Sequence, residues 1–214
     1  LAGRYVDLVG ERFGGQLEGL RGVLDCANGA MSEVGPAAFE RLGASVSVIG
    51  DAPDGANIND GCGATDLRLL SRVVPEQGAH LGVAFDGDGD RMLAVDAAGN
   101  EVDGDQIVAV LALHLGVDLV AVTEMTNLGF HRLMAERGIR VNCVCPHTVA
   151  TPAVLAAIRE AGERGGRLPQ ALRDPALDPH EVADAVIEFA TDESHAGRVL
   201  VLRGDEPPRL LPAD

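Results

Sequence analysis

The chain has 214 residues, of which 46% are hydrophobic, and its formal net charge is −16 at pH 7. A chain of this length and hydrophobicity can bury a substantial core in one or two domains. The strong negative charge argues against nucleic acid or an anionic membrane as a partner. Neither an apolar run long enough to span a membrane nor a signal-peptide pattern is present, so we predict a cytoplasmic protein.

Helix and strand patterns alternate along most of the chain. Apolar periodicity and turn residues predict a fold of the α/β class, a three-layer α/β/α sheet. Ser32 is the predicted cap of the second helix, and Pro75 is expected to end or kink the third. Predicted helices cover residues 4–13, 32–42, 66–77, 103–115 and 128–137, and predicted strands cover 22–26, 45–49, 80–85, the hairpin 92–102, and 119–123.

The most informative motif is Phe-Asp-Gly-Asp-Gly-Asp-Arg at residues 85–91. Asp86, Asp88 and Asp90 crowd three negative charges into one loop, which repulsion disfavours unless a cation lies among them. Carboxylate oxygens are hard ligands that select Mg²⁺, Mn²⁺ or Ca²⁺ rather than zinc. The two glycines between them allow the backbone to curl the carboxylates inward. The motif therefore predicts a divalent-metal site after the third strand.

A different metal-binding loop and a loop without metal are the alternatives to this interpretation. An EF-hand is excluded, because Arg91 occupies the position of its invariant glycine and Ala97 that of its closing glutamate. A solvated acidic turn without any metal remains open from the spacing alone.

Strings around this loop carry a family resemblance. They are Val-Leu-Asp-Cys-Ala-Asn-Gly-Ala at 23–30, Asn-Ile-Asn-Asp-Gly-Cys-Gly-Ala-Thr at 57–65, and the segment 95–107 with its Val-Asp-Gly-Asp-Gln-Ile. In this order and spacing, residues 1–140 closely resemble the phosphoglucosamine mutase family of the α-D-phosphohexomutase superfamily.

The resemblance implies an activity and a set of site residues. The family is expected to interconvert glucosamine 6-phosphate and glucosamine 1-phosphate, a phosphorylated amino sugar of cell-wall synthesis, using Mg²⁺ and a phosphoserine. Carried over by position, Asp86, Asp88 and Asp90 would be the metal ligands. Arg91 would face the phosphate or substrate, which suits a guanidinium fork.

The chain changes character near Arg140. Residues 138–152, the segment 178–186 and the strand-like 196–202 resemble the C-terminal part of short-chain dehydrogenases, although His147 stands where that family usually has Gly. We therefore predict a Rossmann-like C-terminal fragment. The predicted domains are a metal-binding domain at 1–117, the start of a following mutase domain at 118–140, and a dehydrogenase-like segment at 141–214.

Neither resemblance supplies a complete active site. Tyr5 is the single tyrosine and the chain has no Lys, so the dehydrogenase Tyr-x-x-x-Lys motif is missing. The Ser194-His195 pair is not the mutase Ser-His-Asn-Pro motif, and the absence of Met at Leu1 suggests a truncated start. We predict that the isolated chain is catalytically inactive. The alternatives are a fragment of an NAD(P)-dependent oxidoreductase and a non-catalytic divalent-cation-binding module.

Other polar residues outside the aspartate loop have structural roles open to them. Asn57 and Asn59 could orient the metal loop or only stabilise their own turn. Asp103 and Asp105 are expected mainly to cap a helix. Asp66 stands where the mutase family usually has His. The four cysteines (Cys26, Cys62, Cys143, Cys145) show no zinc spacing, and we interpret them as ordinary buried thiols.

Overall fold

The computed structural model describes residues 2–123, 125–163, 175–192, 194 and 197–211. The chain divides into two compact units, Leu1–Ile107 and Val108–Asp214. The helices are α1 (Ala2–Phe13), α2 (Met31–Arg41), α3 (Arg68–Glu76), α4 (Gly104–Leu115), α5 (Leu128–Glu136), α6 (Pro152–Glu163) and α7 (Pro179–Thr191). The strands are β1 (Arg21–Asp25), β2 (Ser45–Ile49), β3 (Leu81–Phe85), β4 (Met92–Asp96), β5 (Glu101–Val102), β6 (Leu119–Val122), β7 (Arg140–Pro146), β8 (Val199–Arg203) and β9 (Glu206–Leu211).

The first unit is built on a five-stranded sheet in the order β2-β1-β3-β4-β5. Successive strand residues point to opposite faces, so β1 buries Val23 on one face and Leu24 on the other. Val23 packs with Leu70 of α3, whereas Leu24 packs on the side that carries Phe39 of α2. Helices therefore cover both faces, and the predicted α/β class with three layers is confirmed for this unit.

Strand direction decides where loops gather in this sheet. Strands β1, β2 and β3 run parallel, and β4 and β5 return antiparallel. The carboxyl ends of the three parallel strands therefore share one edge, which is where open α/β sheets bind ligands. Phe85 pairs directly with Met92, so the segment 86–91 is the connection of a hairpin at that edge.

The second helix begins earlier than the sequence predicted, and Ser32 is not its cap. Ala30 precedes α2 with φ −61° and ψ −24°, and no side chain caps the helix. Because the backbone is already helical at Ala30, Ser32 lies in the first turn, where its hydroxyl donates to the Gly29 carbonyl at 2.8 Å. Pro75 lies inside α3 as its next-to-last residue, and the helix ends there as expected.

The second unit has a four-stranded sheet in the order β6-β7-β8-β9, with β9 antiparallel to its neighbour. Phe130 and Met134 of α5 form its core with Val141 of β7. On the strand's other face, the buried Asn142 side chain donates to the Phe189 carbonyl of α7 at 3.0 Å. In the part of the chain that the structure describes, no helix is long and apolar enough to cross a membrane.

Parts of the predicted dehydrogenase-like tail lie outside the described residues, namely 164–174, 193, 195–196 and 212–214. His195 of the Ser194-His195 pair is among them. Of the four cysteines, Cys145 departs from the predicted burial, since it is partly exposed at the end of its strand.

Candidate metal centre

Backbone hydrogen bonds within the hairpin connection at 86–91 stabilise a tight turn. The Asp86 N–H donates to the Arg91 carbonyl at 3.1 Å, which extends the β3–β4 ladder by one step. The Gly89 N–H then donates to the Asp86 carbonyl at 3.1 Å. Gly89 has φ +75°, a left-handed conformation that glycine adopts without a steric penalty. Gly89 thus permits the turn that the sequence predicted.

This turn brings the three acidic side chains together. One carboxylate oxygen from each of Asp86, Asp88 and Asp90 lies within 4.8 Å of the others, so the group could hold a metal ion. Asp86 is 4% exposed, whereas the other two aspartates are exposed to solvent. The cluster therefore has one buried carboxylate at its base and two that open outward. An all-oxygen donor set of this kind fits a hard divalent cation.

Arg91 is the cation already in contact with this cluster. Its Nε donates to Asp86 Oδ2 at 2.8 Å and to Asp90 Oδ1 at 3.2 Å, and its backbone N–H donates to Asp86 Oδ1 at 3.1 Å. The Arg91 side chain is otherwise 80% exposed. One guanidinium thus partly neutralises two of the three carboxylates while most of its surface stays accessible.

The pKa values within the cluster move in opposite directions. Burial acts to raise the pKa of Asp86, but the Arg91 backbone N–H, the contact with Asp90 and the Arg91 charge together hold it below its ordinary value. The pKa of Asp90 is raised, first because its carboxyl group shares a hydrogen bond with Asp86. Proximity therefore makes it costly to ionise both carboxylates, and a cation among them relieves that cost.

A neighbouring loop fixes the position of Gly87. The Ala30 N–H donates to the Gly87 carbonyl at 2.9 Å, which joins the start of α2 to the metal loop. A Cβ added at Gly87 would lie 2.7 Å from Ile58 Cδ1 and 2.9 Å from Asn59 Nδ2. Asn59 therefore lies directly against the metal loop, and its orienting role stays a prediction.

The loops after β1 and β2 contain three residues other than glycine in the left-handed conformation. Ala27, Asn28 and Asn59 have positive φ values of 55°, 48° and 57°, which are uncommon outside glycine. The Asn59 N–H donates to the Ala27 carbonyl at 2.9 Å, and the Asn28 N–H donates to the Gly50 carbonyl at 2.6 Å. These bonds join the loop after β1 to the loop after β2.

The Asn28 side chain strengthens the same connection. Its amide donates to the Asn57 carbonyl at 3.3 Å and to Cys62 Sγ at 3.5 Å, and its oxygen accepts from the Ala52 N–H at 3.1 Å. Asn57 in turn accepts from the Asp54 N–H and donates to the Ala52 carbonyl, so it stabilises its own loop. The signal in the sequence was an Asn-Gly step directly after a buried strand.

Asp25 is a buried acid beneath these loops. It is fully buried, its Oδ1 accepts from the Ala27 N–H at 3.0 Å, and its Oδ2 has no partner within the described residues. Burial is the main cause that raises the pKa of Asp25. Burial also raises the pKa of the adjacent Cys26 thiol to about 12, which disfavours the thiolate form.

The remaining predicted polar residues lie near the loop without joining the carboxylate cluster. Asp103 accepts from the Gln106 N–H at 2.8 Å while Gln106 Oε1 accepts from the Asp103 N–H at 2.9 Å, which is the expected helix cap. Asp66 forms a bidentate pair with the exposed Arg68, which lowers the pKa of this aspartate to about 2.

A depression of about 360 Å³ lies beside the metal loop, within the first unit. Asp86 and Arg91 form part of its wall, together with Thr65, Met92 and Gly104. The buried carboxylate and the guanidinium therefore face a space large enough for a small ligand.

Comparison with known proteins shows what part of the chain is similar to. Residues 4–99 match the model of the phosphoglucomutase/phosphomannomutase alpha/beta/alpha domain II. This part of the chain is similar to that domain. The phosphoglucosamine mutase of Streptomyces griseus subsp. griseus is 58% identical over 132 residues, which are 59% of this chain and 29% of that protein.

Two further comparisons extend over more of the chain. The phosphoglucosamine mutase of Nocardia farcinica is 49% identical over 165 residues, 74% of this chain and 35% of that protein. A crystal structure of a phosphoglucomutase/phosphomannomutase family protein from Burkholderia thailandensis covers 95% of this chain and 38% of its own, with TM-score 0.53 and 18% identity. The latter likeness concerns the fold. The chain spans about a third of the length of the curated relatives that it matches.

Proposed function

We propose that this chain is the metal-binding part of a cytoplasmic phosphoglucosamine mutase, which interconverts glucosamine 6-phosphate and glucosamine 1-phosphate. The observation that carries the proposal is the approach of three carboxylates to within 4.8 Å, at the carboxyl edge of a phosphohexomutase-like sheet. Sequence relatives named phosphoglucosamine mutase support the same assignment.

Asp86, Asp88 and Asp90 would hold Mg²⁺ in this assignment. Their oxygens match the hard ligands that Mg²⁺ prefers, and the buried Asp86 is the member of the cluster whose position the sheet fixes most firmly. When bound, the ion supplies positive charge that neutralises a phosphoryl group during transfer. The exposed aspartates leave the solvent side of the cluster accessible to a phosphate-bearing ligand.

Arg91 would bind the phosphate of that ligand. Its guanidinium carries five donors in a planar fork, and the described contacts of its Nε with two carboxylates leave the terminal nitrogens available. The adjacent depression would then receive part of the phosphorylated amino sugar. These residues would therefore orient the phosphate and neutralise its charge. Phosphoryl transfer depends mainly on these two effects.

The phosphoserine would come from a different domain. The matched residues contain no Ser-His-Asn-Pro motif, so the proposal keeps the prediction that the isolated chain does not catalyse isomerisation. Metal-dependent conversion of glucosamine 6-phosphate by the purified chain, lost in Asp88→Asn, would overturn that part.

Metal binding is the direct test of the proposal. Titration calorimetry with Mg²⁺, and with Mn²⁺ as a second hard ion, is expected to show one site in the purified chain. Asp88→Asn should abolish binding, because the substitution removes a charged ligand without changing side-chain volume. Asp60→Asn, on a nearby loop outside the cluster, is the matched control and should bind normally. If neither Mg²⁺ nor Mn²⁺ binds at millimolar concentration, the site is refuted.

The other two interpretations predict different results. A non-catalytic cation-binding module would bind Mg²⁺ equally well, but it would not restore activity when combined with the other domains of a phosphoglucosamine mutase. The oxidoreductase interpretation of residues 141–214 stays a prediction. It requires NADH fluorescence to change on mixing with the chain, and no change at millimolar cofactor would exclude it.

A further inference from the structure

Cys143 and Cys145 form a close pair of thiols in the central strand β7 of the second unit. Their Sγ atoms are 3.4 Å apart. Residues two apart in a strand point to the same face, so both thiols lie side by side on one surface of the sheet. Cys143 is 4% exposed, and Cys145 is partly exposed.

The pair lies where β7 loses one of its neighbours. Cys143 is paired with Val122 of β6 and with Val199 of β8. Cys145 is paired with Val201 of β8, but β6 has already ended at Val122. The outer thiol is therefore near the carboxyl end of a parallel strand, and its side chain is partly exposed. Open α/β sheets bind ligands at this edge.

We propose that Cys143 and Cys145 chelate a soft divalent cation of the zinc class through both sulfur atoms. A tetrahedral zinc ion with Zn–S bonds of about 2.3 Å separates two sulfurs by about 3.8 Å. The observed separation is 3.4 Å, so small side-chain rotations are enough to admit the ion. Binding replaces two S–H bonds by two sulfur–metal bonds and releases two protons to solvent, without any oxidant. Solvent completes the coordination.

Chelation suits this geometry better than a disulfide does. A disulfide needs an S–S bond of about 2.05 Å and Cα atoms about 4.4–6.8 Å apart. Residues two apart in a regular strand are separated by about 6.6 Å, at the upper limit of that range. Strand pairing with β8 at both Cys143 and Cys145 holds this part of β7 extended. Formation of a disulfide between the two cysteines would have to bend this strand, whereas binding of a metal ion would not.

The pair is chemically distinct from the aspartate cluster. Thiolates are soft ligands that select zinc-class ions, whereas carboxylates favour Mg²⁺. The inference is therefore independent of the proposed function, and excess Mg²⁺ should leave the thiol site unchanged.

Cadmium is a suitable probe, since a Cd²⁺–thiolate bond has an ultraviolet charge-transfer absorption that Cd²⁺–carboxylate binding lacks. Titration of the reduced full chain with Cd²⁺ in excess Mg²⁺ is expected to give this absorption and to saturate at one equivalent. Cys143→Ala and Cys145→Ala should each reduce the signal at one equivalent at least several-fold. Cys62→Ala, which removes a buried thiol elsewhere, and Asp88→Asn should leave it intact.

Two results would overturn the site, namely no charge-transfer absorption in the unmodified chain, or full absorption in the variant lacking both Cys143 and Cys145. Circular dichroism checks that each variant folds. If Cys143→Ala does not fold because it opens a cavity, Cys145→Ser decides, since Cys145 is partly exposed and Ser preserves its size.

Discussion

Nε of Arg91 lies 2.8 Å from Oδ2 of Asp86, so the candidate metal loop contains its own counter-ion. The same Nε reaches Asp90 at 3.2 Å. A metal ion at the cluster must share or displace these contacts, because both would use the same carboxylate oxygens.

Replacement of Arg91 by Gln should therefore tighten Mg²⁺ binding. The substitution removes a competing positive charge, and we expect the dissociation constant to fall about two- to five-fold, the size of an exposed ion pair. Calorimetric titration at low ionic strength measures the change. Arg68→Gln is the matched control, because Arg68 is also an exposed arginine paired with an aspartate. Weaker binding in Arg91→Gln would mean that the arginine orients the ligands instead of competing with the ion.

Asp25 should make stability fall as the pH rises. The pKa of this buried carboxyl is raised in the folded chain, so the folded state holds its proton over a range in which the unfolded state has lost it. Its contribution is complete below the ordinary value of 3.8 and is lost as the pH rises through the folded-state pKa. Asp25→Asn should remove this slope. Urea unfolding of both proteins at intervals from pH 4 upward tests the expectation, and parallel curves would contradict it.

Asp66 should make stability fall as the pH falls, the opposite of the dependence expected from Asp25. Its pKa is lowered to about 2, first by the hydrogen bonds from the Arg68 side chain. The stabilising contribution is therefore present above the ordinary value of 3.8 and disappears as the pH falls through about 2. Asp66→Asn should unfold at lower urea than the unmodified chain at pH 5, with the difference vanishing near pH 2. Arg68→Gln should reproduce this dependence, and a difference that persists in acid would argue against the pair as its cause.

Gly29→Ala, a substitution outside the metal loop, should distort that loop. A Cβ at Gly29 would collide with the backbone of Gly87, whose Cα would be 2.9 Å away. Overpacking of this kind typically costs about 1–3 kcal/mol, and relief by moving Gly87 would displace the flanking aspartates. Lower stability together with weaker Mg²⁺ binding is the expected result.

Gly3→Ala provides the control for that substitution. Nothing lies within 4 Å of a Cβ added at Gly3 in α1, so stability should be unchanged or slightly higher. Normal metal affinity in Gly29→Ala would show that the two loops are not mechanically linked.

Much of the first unit could be predicted from local pattern. Strand β2 at Ser45–Ile49 matched its predicted bounds, because a short β-branched run is flanked by turn residues. The grouping of Asp86, Asp88 and Asp90 could also be expected, since glycines separate charges that lie close along the chain. Whether these residues hold Mg²⁺ stays a prediction.

The residues that support the metal loop are harder to predict from the sequence, because their roles depend on distant parts of the chain. Asn28 gains its importance from contacts with Ala52, Asn57 and Cys62, none of which lies near it in sequence. Asp25 lies in a strand pattern that predicts only burial. The Ser32 cap was wrong for a related reason, since helical backbone already at Ala30 leaves Ser32 inside the first turn.

The hairpin position of the metal loop affects how fast it can respond to an ion. Phe85 and Met92 are paired in the sheet at its two ends, and the Ala30 N–H holds Gly87 at its middle. Ion capture at such a loop would need little ordering of the chain. Mg²⁺ gives up its hydration shell reluctantly, so water loss from the ion, more than any rearrangement of the protein, would set the rate of binding.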